Sequence, residues 1–234
     1  MKKIALIIGI TLFVSCAELQ QVVNQLPTGT TALSNEEIGS GLRAALEEGI
    51  SKQVSRLNKT DGFFKNDLVK ILLPEELRKV DKTLRDIGLD NLADEGLKVL
   101  NRAAEDAVSE ATPIFVNAVK EISFTDAKAI LLGDDKAATN FLENKTTTAL
   151  YDKFNPVIKS SFEKVGADKI WASLINKDNK IPLTSNVNPN LTGYVTQEAL
   201  KGVYTMIALE EKEIRTKASS RTTNLLKKVF ACLL

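Results

Sequence analysis

GYVTQEALKGVYTMIALEEKEIRT, residues 193–216, decides the fold. Its apolar residues Val195, Leu200, Val203, Ile207 and Ile214 recur near a helical period, polar residues fill the gaps, and no proline interrupts it. At about 1.5 Å per residue this is a helix of roughly 36 Å. A helix that long with a single apolar stripe needs neighbours of the same kind to cover the stripe.

Outward from this stretch, the chain supplies those neighbours. Residues 221–233 predict a last helix that buries Leu225, Leu226, Val229 and Phe230. On the other side, residues 176–192 form a long irregular segment holding Asn176, Asn179, Asn186, Asn188 and Asn190 with Pro182 and Pro189, and loops of this length inside a domain are functional or mobile. Further back, Asp168 opens a helix carrying Ile170, Trp171, Leu174 and Ile175, and Pro156 opens one that ends at Gly166. Asp134 and Asp135 open a helix to about Phe154, Thr125 and Asp126 open a short one closed by Gly133, and Thr112-Pro113 starts one running through Ile122. Asp90 caps an alanine-rich helix whose wide stripe is Leu92, Leu97, Leu100, Ala104, Ala107, Val108 and Ala111. Pro74 suits the start of a helix with Leu77, Val80, Leu84 and Ile87 inward. Ser34 and Glu37 form a capping box ahead of Ile38, Leu42, Leu46, Ile50, Val54 and Leu57. Only Phe63–Leu73, with Val69-Lys70-Ile71-Leu72-Leu73, reads as extended or as a short β piece. The expectation is an all-α fold: an irregular bundle of about nine helices with little or no sheet.

The N-terminus has a separate logic. Lys2 and Lys3 precede an apolar run from Ile4 to Val14, then Ser15 and Cys16. A positive start, a short apolar core and a small residue at the cut site make a signal peptide, and the run is too short for a bilayer span of roughly 20 residues. Phe13-Val14-Ser15-Cys16 resembles a bacterial lipobox, with Phe13 standing where leucine is usual, so Cys16 is the expected lipidation site. Residues 1–15 are then the signal peptide, 16–33 a polar lipidated tether with Pro27 and Gly29, and 34–234 a single helical domain. Ala17 is not the aspartate that retains some lipoproteins at the inner membrane. The expected location is therefore the outer membrane, facing the periplasm.

Composition removes several chemistries. There is no histidine, which takes away the commonest general base and metal ligand. Cleavage would remove Lys2 and Lys3 and take the formal charge from +1 to −1, which argues against nucleic acid as a partner. With Cys16 given to lipid, Cys232 has no partner and reads as a small apolar residue on a helix face. No metal or cofactor site is expected. Asp134-Asp135 supply two carboxylates where calcium wants six or more oxygens, and a helix N-cap accounts for them.

Two polar clusters are the candidate site. On the quoted helix, Glu211 lies about 40° from Ile207 and Glu210 about 60° on the other side, so both acids flank the apolar seam. Arg215 stands at i+4 from Glu211, the spacing of an ion pair, and the favoured reading is a solvated helix edge. Asn101, Arg102 and Glu105 lie off the alanine-rich stripe and would be buried only if that helix is covered all round, as structural cross-bracing. Arg215, Lys217, Arg221, Lys227 and Lys228 make the C-terminal region basic. It would either lie on an anionic membrane or, the preferred reading, close the bundle with its apolar face.

Several short stretches, in this order and spacing, carry a resemblance. They are Gly41-Leu42-Arg43-Ala44-Ala45-Leu46, Asp61-Gly62-Phe63, Asn101-Arg102-Ala103-Ala104-Glu105 and Asp126-Ala127-Lys128-Ala129-Ile130-Leu131, followed by Ala137-Ala138-Thr139, Tyr194-Val195 and Ala199-Leu200-Lys201-Gly202. Glu210-Glu211-Lys212-Glu213-Ile214-Arg215 and Leu225-Leu226-Lys227-Lys228-Val229-Phe230 complete the set. Over residues 34–234 the chain resembles the bacterial lipoprotein family known as domain of unknown function 4197. The resemblance implies a helical envelope protein, often lipidated, and brings no activity with it. Where related chains often carry a proline before the last helix, this chain reads Thr216-Lys217-Ala218-Ser219-Ser220.

Three functions fit. The first is non-catalytic binding of an apolar or amphiphilic ligand between helices, with the 176–192 loop as a lid. The second is docking of an envelope protein partner. The third is a hydrolase using the carboxylates. In each, the protein meets the membrane through its N-terminal lipid.

Overall fold

The longest apolar stripes of the chain belong to two helices that pack along each other, and the other helices are laid around that pair. The structure, a computed structural model, describes residues 34–167, 190–221 and 223–231. In chain order the helices are α1 (Asn35–Leu57), α2 (Glu75–Asp86), α3 (Asp90–Val108), α4 (Ala111–Lys120), α5 (Phe124–Leu132), α6 (Ala137–Val165), α7 (Leu191–Thr216), a 3-10 turn (Ala218–Ser220) and α8 (Asn224–Ala231). No strand occurs among the described residues. The fold is all-α.

α6 and α7 make the most extensive contact in the molecule. α3, α4 and α5 cover further parts of α6, while α1 lies against α7, α4 and α5. α8 closes the bundle against α1. Phe115, Phe154, Phe162, Leu142, Leu150 and Met206 are among the largest side chains removed wholly from water. Each fully buried large apolar side chain contributes about 1.5–3 kcal/mol relative to exposure.

Several expectations need correction, among them the Asp90 cap, since α3 starts with no side-chain cap, and the start of α5, which Ser123 caps in place of Thr125. Pro156 does not open a helix but lies inside α6, a single helix of 29 residues. The stripe Leu142, Thr146, Leu150, Phe154, Ile158 and Phe162 runs straight through it, all six buried. Proline in a helix interior forfeits a hydrogen bond at a cost of about 3 kcal/mol, and burial of Leu142, Leu150 and Phe154 before it and of Ile158 and Phe162 after it exceeds that. The helix ends where expected, at Gly166 in the left-handed region at φ 69°. The merger reduces the count: eight α-helices and one 3-10 turn stand among the described residues instead of about nine.

Another correction is the β piece. Residues 69–73 are not a strand, because no other strand pairs with them. Their backbone is paired instead by a side chain of α3: Asn101 Oδ1 accepts from the Ile71 N–H at 2.8 Å, and Asn101 Nδ2 donates to the Ile71 carbonyl at 2.9 Å. The amide of asparagine does the work of a neighbouring strand. The approach of the preceding turn to α7 depends on Gly202, since a Cβ there would sit 2.7 Å from Phe63 and 3.3 Å from Val69.

Likewise, α4 starts at Ala111 rather than at Pro113, with no side-chain cap. Nor do Asp134 and Asp135 cap α6, which begins after Lys136. Asp134 Oδ1 accepts only from the Lys136 N–H, at 2.9 Å, in a local turn. The signal peptide, Cys16 and the tether, the helix expected from Asp168, residues 176–189 of the expected loop and Cys232 all lie outside the described residues.

Candidate functional site

Glu210 and Glu211 are buried, with 9% and 7% of their surface exposed, so the solvated helix edge expected for them is overturned. The apolar stripe of α7 is wide enough, once α1 and α6 pack on it, to take in both positions. A buried carboxylate is stable only with charge or hydrogen-bond partners, and each acid has found them on a different helix.

Glu211 caps the start of α6. Its Oε1 accepts from the Ala138 N–H at 2.9 Å, and its Oε2 accepts from the Thr139 N–H and the Thr139 hydroxyl, both at 2.8 Å. The first N–H groups of a helix have no partner within it and carry the positive end of the helix dipole. Arg215 completes the arrangement. It donates from Nε at 3.0 Å and Nη2 at 2.8 Å to Glu211 Oε1. It also donates to the carbonyls of Ile130, at 2.7 Å, and Leu131, at 3.3 Å. Those carbonyls belong to the last turn of α5, the negative end of that helix. One ion pair thus joins the end of α5 to the start of α6.

Glu210 faces α1. Lys52 Nζ donates to its Oε1 at 2.7 Å and Gln53 Nε2 to its Oε2 at 2.6 Å. Gly49 lets the helices approach here, since a Cβ would meet Glu210 Cγ at 3.2 Å. The acids and Arg215 border an apolar cavity of about 30 Å³ with Leu46, Ile207 and Phe230. That is room for a water molecule or two.

Asn101 and Glu105 are likewise buried, at 0% and 3% exposure, so the cover on α3 extends past its alanine-rich stripe, while Arg102 and Asp106 keep one edge of the helix at the surface. Glu105 accepts the backbone N–H groups of the turn after α1: Asp61 at 3.2 Å, Phe63 at 3.0 Å and Phe64 at 3.3 Å. Arg102 donates to Glu105 and, at 2.6 Å, to Asp61 Oδ1. Asp61 is the one described non-glycine residue at positive φ, 68°. Its hydrogen bond to Lys65, together with Arg102, holds its carboxyl below the usual range. Glu105 raises the Arg102 guanidinium. The two candidate clusters are therefore separate, one at the α5–α6 junction and α1, the other at the turn between α1 and α2.

Of the basic residues of the C-terminal region, Arg215 and Arg221 turn inward, while Lys217, Lys227 and Lys228 are exposed. Arg221 is 3% exposed, and it donates to the carbonyls of Ile214 at 3.0 Å and Arg215 at 2.9 Å, closing the end of α7. Its guanidinium stands 5.7 Å from the Phe230 ring. Val229 and Phe230 are buried. The segment Ala218–Ser220 makes the turn between α7 and α8 as a 3-10 helix.

Sequence reasoning missed Gln53, Asp61 and Arg221. Gln53 stands at i+3 from Ile50, a polar residue on an apolar stripe, and that was a readable signal. It also missed Tyr204, whose hydroxyl lies 2.8 Å from Thr146 and 3.2 Å from Thr147. Burial pushes that phenol up.

Among the described residues no group of three or more acids and cysteines is placed to hold a metal ion, and no helix is long and apolar enough to cross a membrane. An open groove of about 480 Å³ runs along the outer face of α6 from Pro156 to Lys164, bordered by Asp106 of α3. Ser161 donates to Asp106 there at 3.1 Å.

Fold and clusters define an all-helical domain whose buried acids serve as caps and braces for other segments. The chain belongs to the family described as "Protein of unknown function (DUF4197)", whose pattern matches residues 32–231. No curated protein and no solved structure matches it.

Proposed function

We propose that the chain is a lipid-anchored envelope protein that acts without catalysis, by docking a protein partner at the surface of its helical domain on the periplasmic side of the outer membrane. The anchor is argued from the Ser15-Cys16 cut site and the apolar run before it. The observation that carries the docking reading is that the three interior carboxylates are already committed. Glu105 and Glu211 each accept from backbone N–H groups and an arginine, Glu210 accepts from Lys52 and Gln53, and the cavity beside them is about 30 Å³. Ligand pockets run from about 300 Å³ upward. Carboxylates holding helix ends together are poorly placed to exchange protons with a substrate, which disfavours the hydrolase.

A second reading is binding of an apolar or amphiphilic ligand. The open groove on α6 supports it, being of ligand size at about 480 Å³. Native mass spectrometry of residues 17–234, purified from a periplasm, together with crosslinking in cells separates the two. An apo mass with a reproducible crosslinked envelope protein supports docking. A stoichiometric small-molecule mass that leaves on denaturation overturns it in favour of the ligand. For the anchor, Cys16→Ser is expected to abolish acylation and release the protein from the membrane fraction.

A further inference from the structure

We infer that the outward face of α5 is a second membrane contact, lying on the lipid surface beside the point where the tether joins the domain. This rests on the lipid-anchor reading of Cys16.

α5 buries Ala127, Ile130 and Leu131 against the bundle. Its other side exposes Phe124 at 39% and Leu132 at 67%, with exposed Lys128 between them. At about 100° per residue these three fall within roughly 80° of one another, a single stripe two helical turns long. Two large apolar side chains flanking a lysine suit a headgroup boundary: rings and branched chains enter the acyl edge, and the lysine stem lies along it with its ammonium in water.

What selects lipid as the occupant is where the chain comes in. The residues from 17 to 33 join the domain at the start of α1. Arg43, reaching back along α1, stands 3.4 Å from where a Cβ of Gly39 would be, and its Nη1 donates to the Ile122 carbonyl at 3.0 Å. Ile122 therefore sits beside the second turn of α1, and Phe124 follows two residues later. The exposed stripe begins next to the anchored end of the domain. A tether of 17 residues is at most about 60 Å when extended, so the domain stays within reach of its membrane, and an apolar stripe that starts beside the attachment point is placed to meet that surface. The charged residues of the surrounding segment carry both signs, Lys120, Lys128 and Lys136 against Glu121, Asp126, Asp134 and Asp135. Insertion of the two apolar side chains, and not attraction to anionic lipid, is then the source of the contact, and salt is expected to have little effect on it.

The test uses the full-length lipidated protein in vesicles of phosphatidylethanolamine and phosphatidylglycerol. An environment-sensitive fluorophore is placed at Leu132→Cys, and in a parallel sample at Glu163→Cys on the exposed face of α6, both with Cys232→Ser. The expected result is blue-shifted emission and several-fold stronger quenching by doxyl-labelled lipid at position 132 than at 163. Equal, water-like signals at both positions on protein that floats with the vesicles overturn the inference and leave the anchor standing. A blue shift at 132 without lipid quenching also overturns it, in favour of a protein partner or a second copy on this face. Protein that neither floats nor carries acyl mass on Cys16 overturns the anchor reading, and the inference with it.

Discussion

The two ends of the α3 and α7 polar clusters solve one problem with the same parts and different solvent. At the turn after α1, Glu105 collects the N–H groups of Asp61, Phe63 and Phe64, and Arg102 at i−3 neutralises it. At the α5–α6 junction, Glu211 collects the N–H groups of Ala138 and Thr139, and Arg215 at i+4 neutralises it. The Arg102 side chain is 37% exposed and shared with Asp61, whereas the Arg215 side chain is 10% exposed and spends its remaining donors on α5 carbonyls. An exposed arginine that loses its acid can turn to water. A sealed one cannot. The same motif is therefore a replaceable brace in the exposed cluster and an indispensable one in the sealed cluster.

The largest effect should follow removal of the sealed acid. Glu211→Ala strands Arg215 and the first N–H groups of α6, and a loss of about 3–5 kcal/mol is expected from urea denaturation. A loss below about 1 kcal/mol would mean that the junction relaxes and the contrast is unfounded. Glu105→Ala should cost less, about 2 kcal/mol, because Arg102 keeps Asp61 and water while the turn N–H groups lose their acceptor. If it costs as much as Glu211→Ala, solvent access is not what separates the two ends. Gly202→Ala tests how tightly that turn is held on α7. Pushing Phe63 aside should cost about 1–3 kcal/mol in the same measurement, and a neutral result would show the turn free to move.

The smallest effect is electrostatic. The Asp61 carboxyl titrates below the ordinary aspartate range in the folded chain, chiefly through its hydrogen bond to Lys65 and then through Arg102. A depressed folded value gives stability that is present above the unfolded value and is lost as pH falls through the folded one. Asp61→Asn keeps a residue that tolerates positive φ and should flatten the acid limb of the stability curve below about pH 4, leaving neutral pH nearly unchanged. An unaltered acid limb would remove Asp61 from the exposed end's account.

Much of this was legible in one dimension. The stripes of α1, α3 and α7 each gave helices in place, because burial on one face imposes a period near 3.6. Arg215 at i+4 from Glu211 was likewise readable, since that pair is set by a single helix. What could not be read was which segment each acid would meet. Glu211 finds Thr139, 72 residues away, and Glu105 finds Phe63, 42 residues away. Angles on one helix also understated burial, because they place a residue relative to its own stripe and not relative to the helices that cover its flanks.

Local pattern along the chain sets the helical class, the family-bearing stretches and the positions of most helix ends, since periodicity and caps act within a few residues. It also carried the Cys16 expectation, a pattern of neighbouring residues. Only the tertiary structure decided that α6 runs unbroken through Pro156, that Asn101 substitutes for a strand, and that Glu210 and Glu211 lie inside. Each of those outcomes is a balance between a local cost of a few kcal/mol and burial against a distant segment, and the chain must be folded before the second quantity exists.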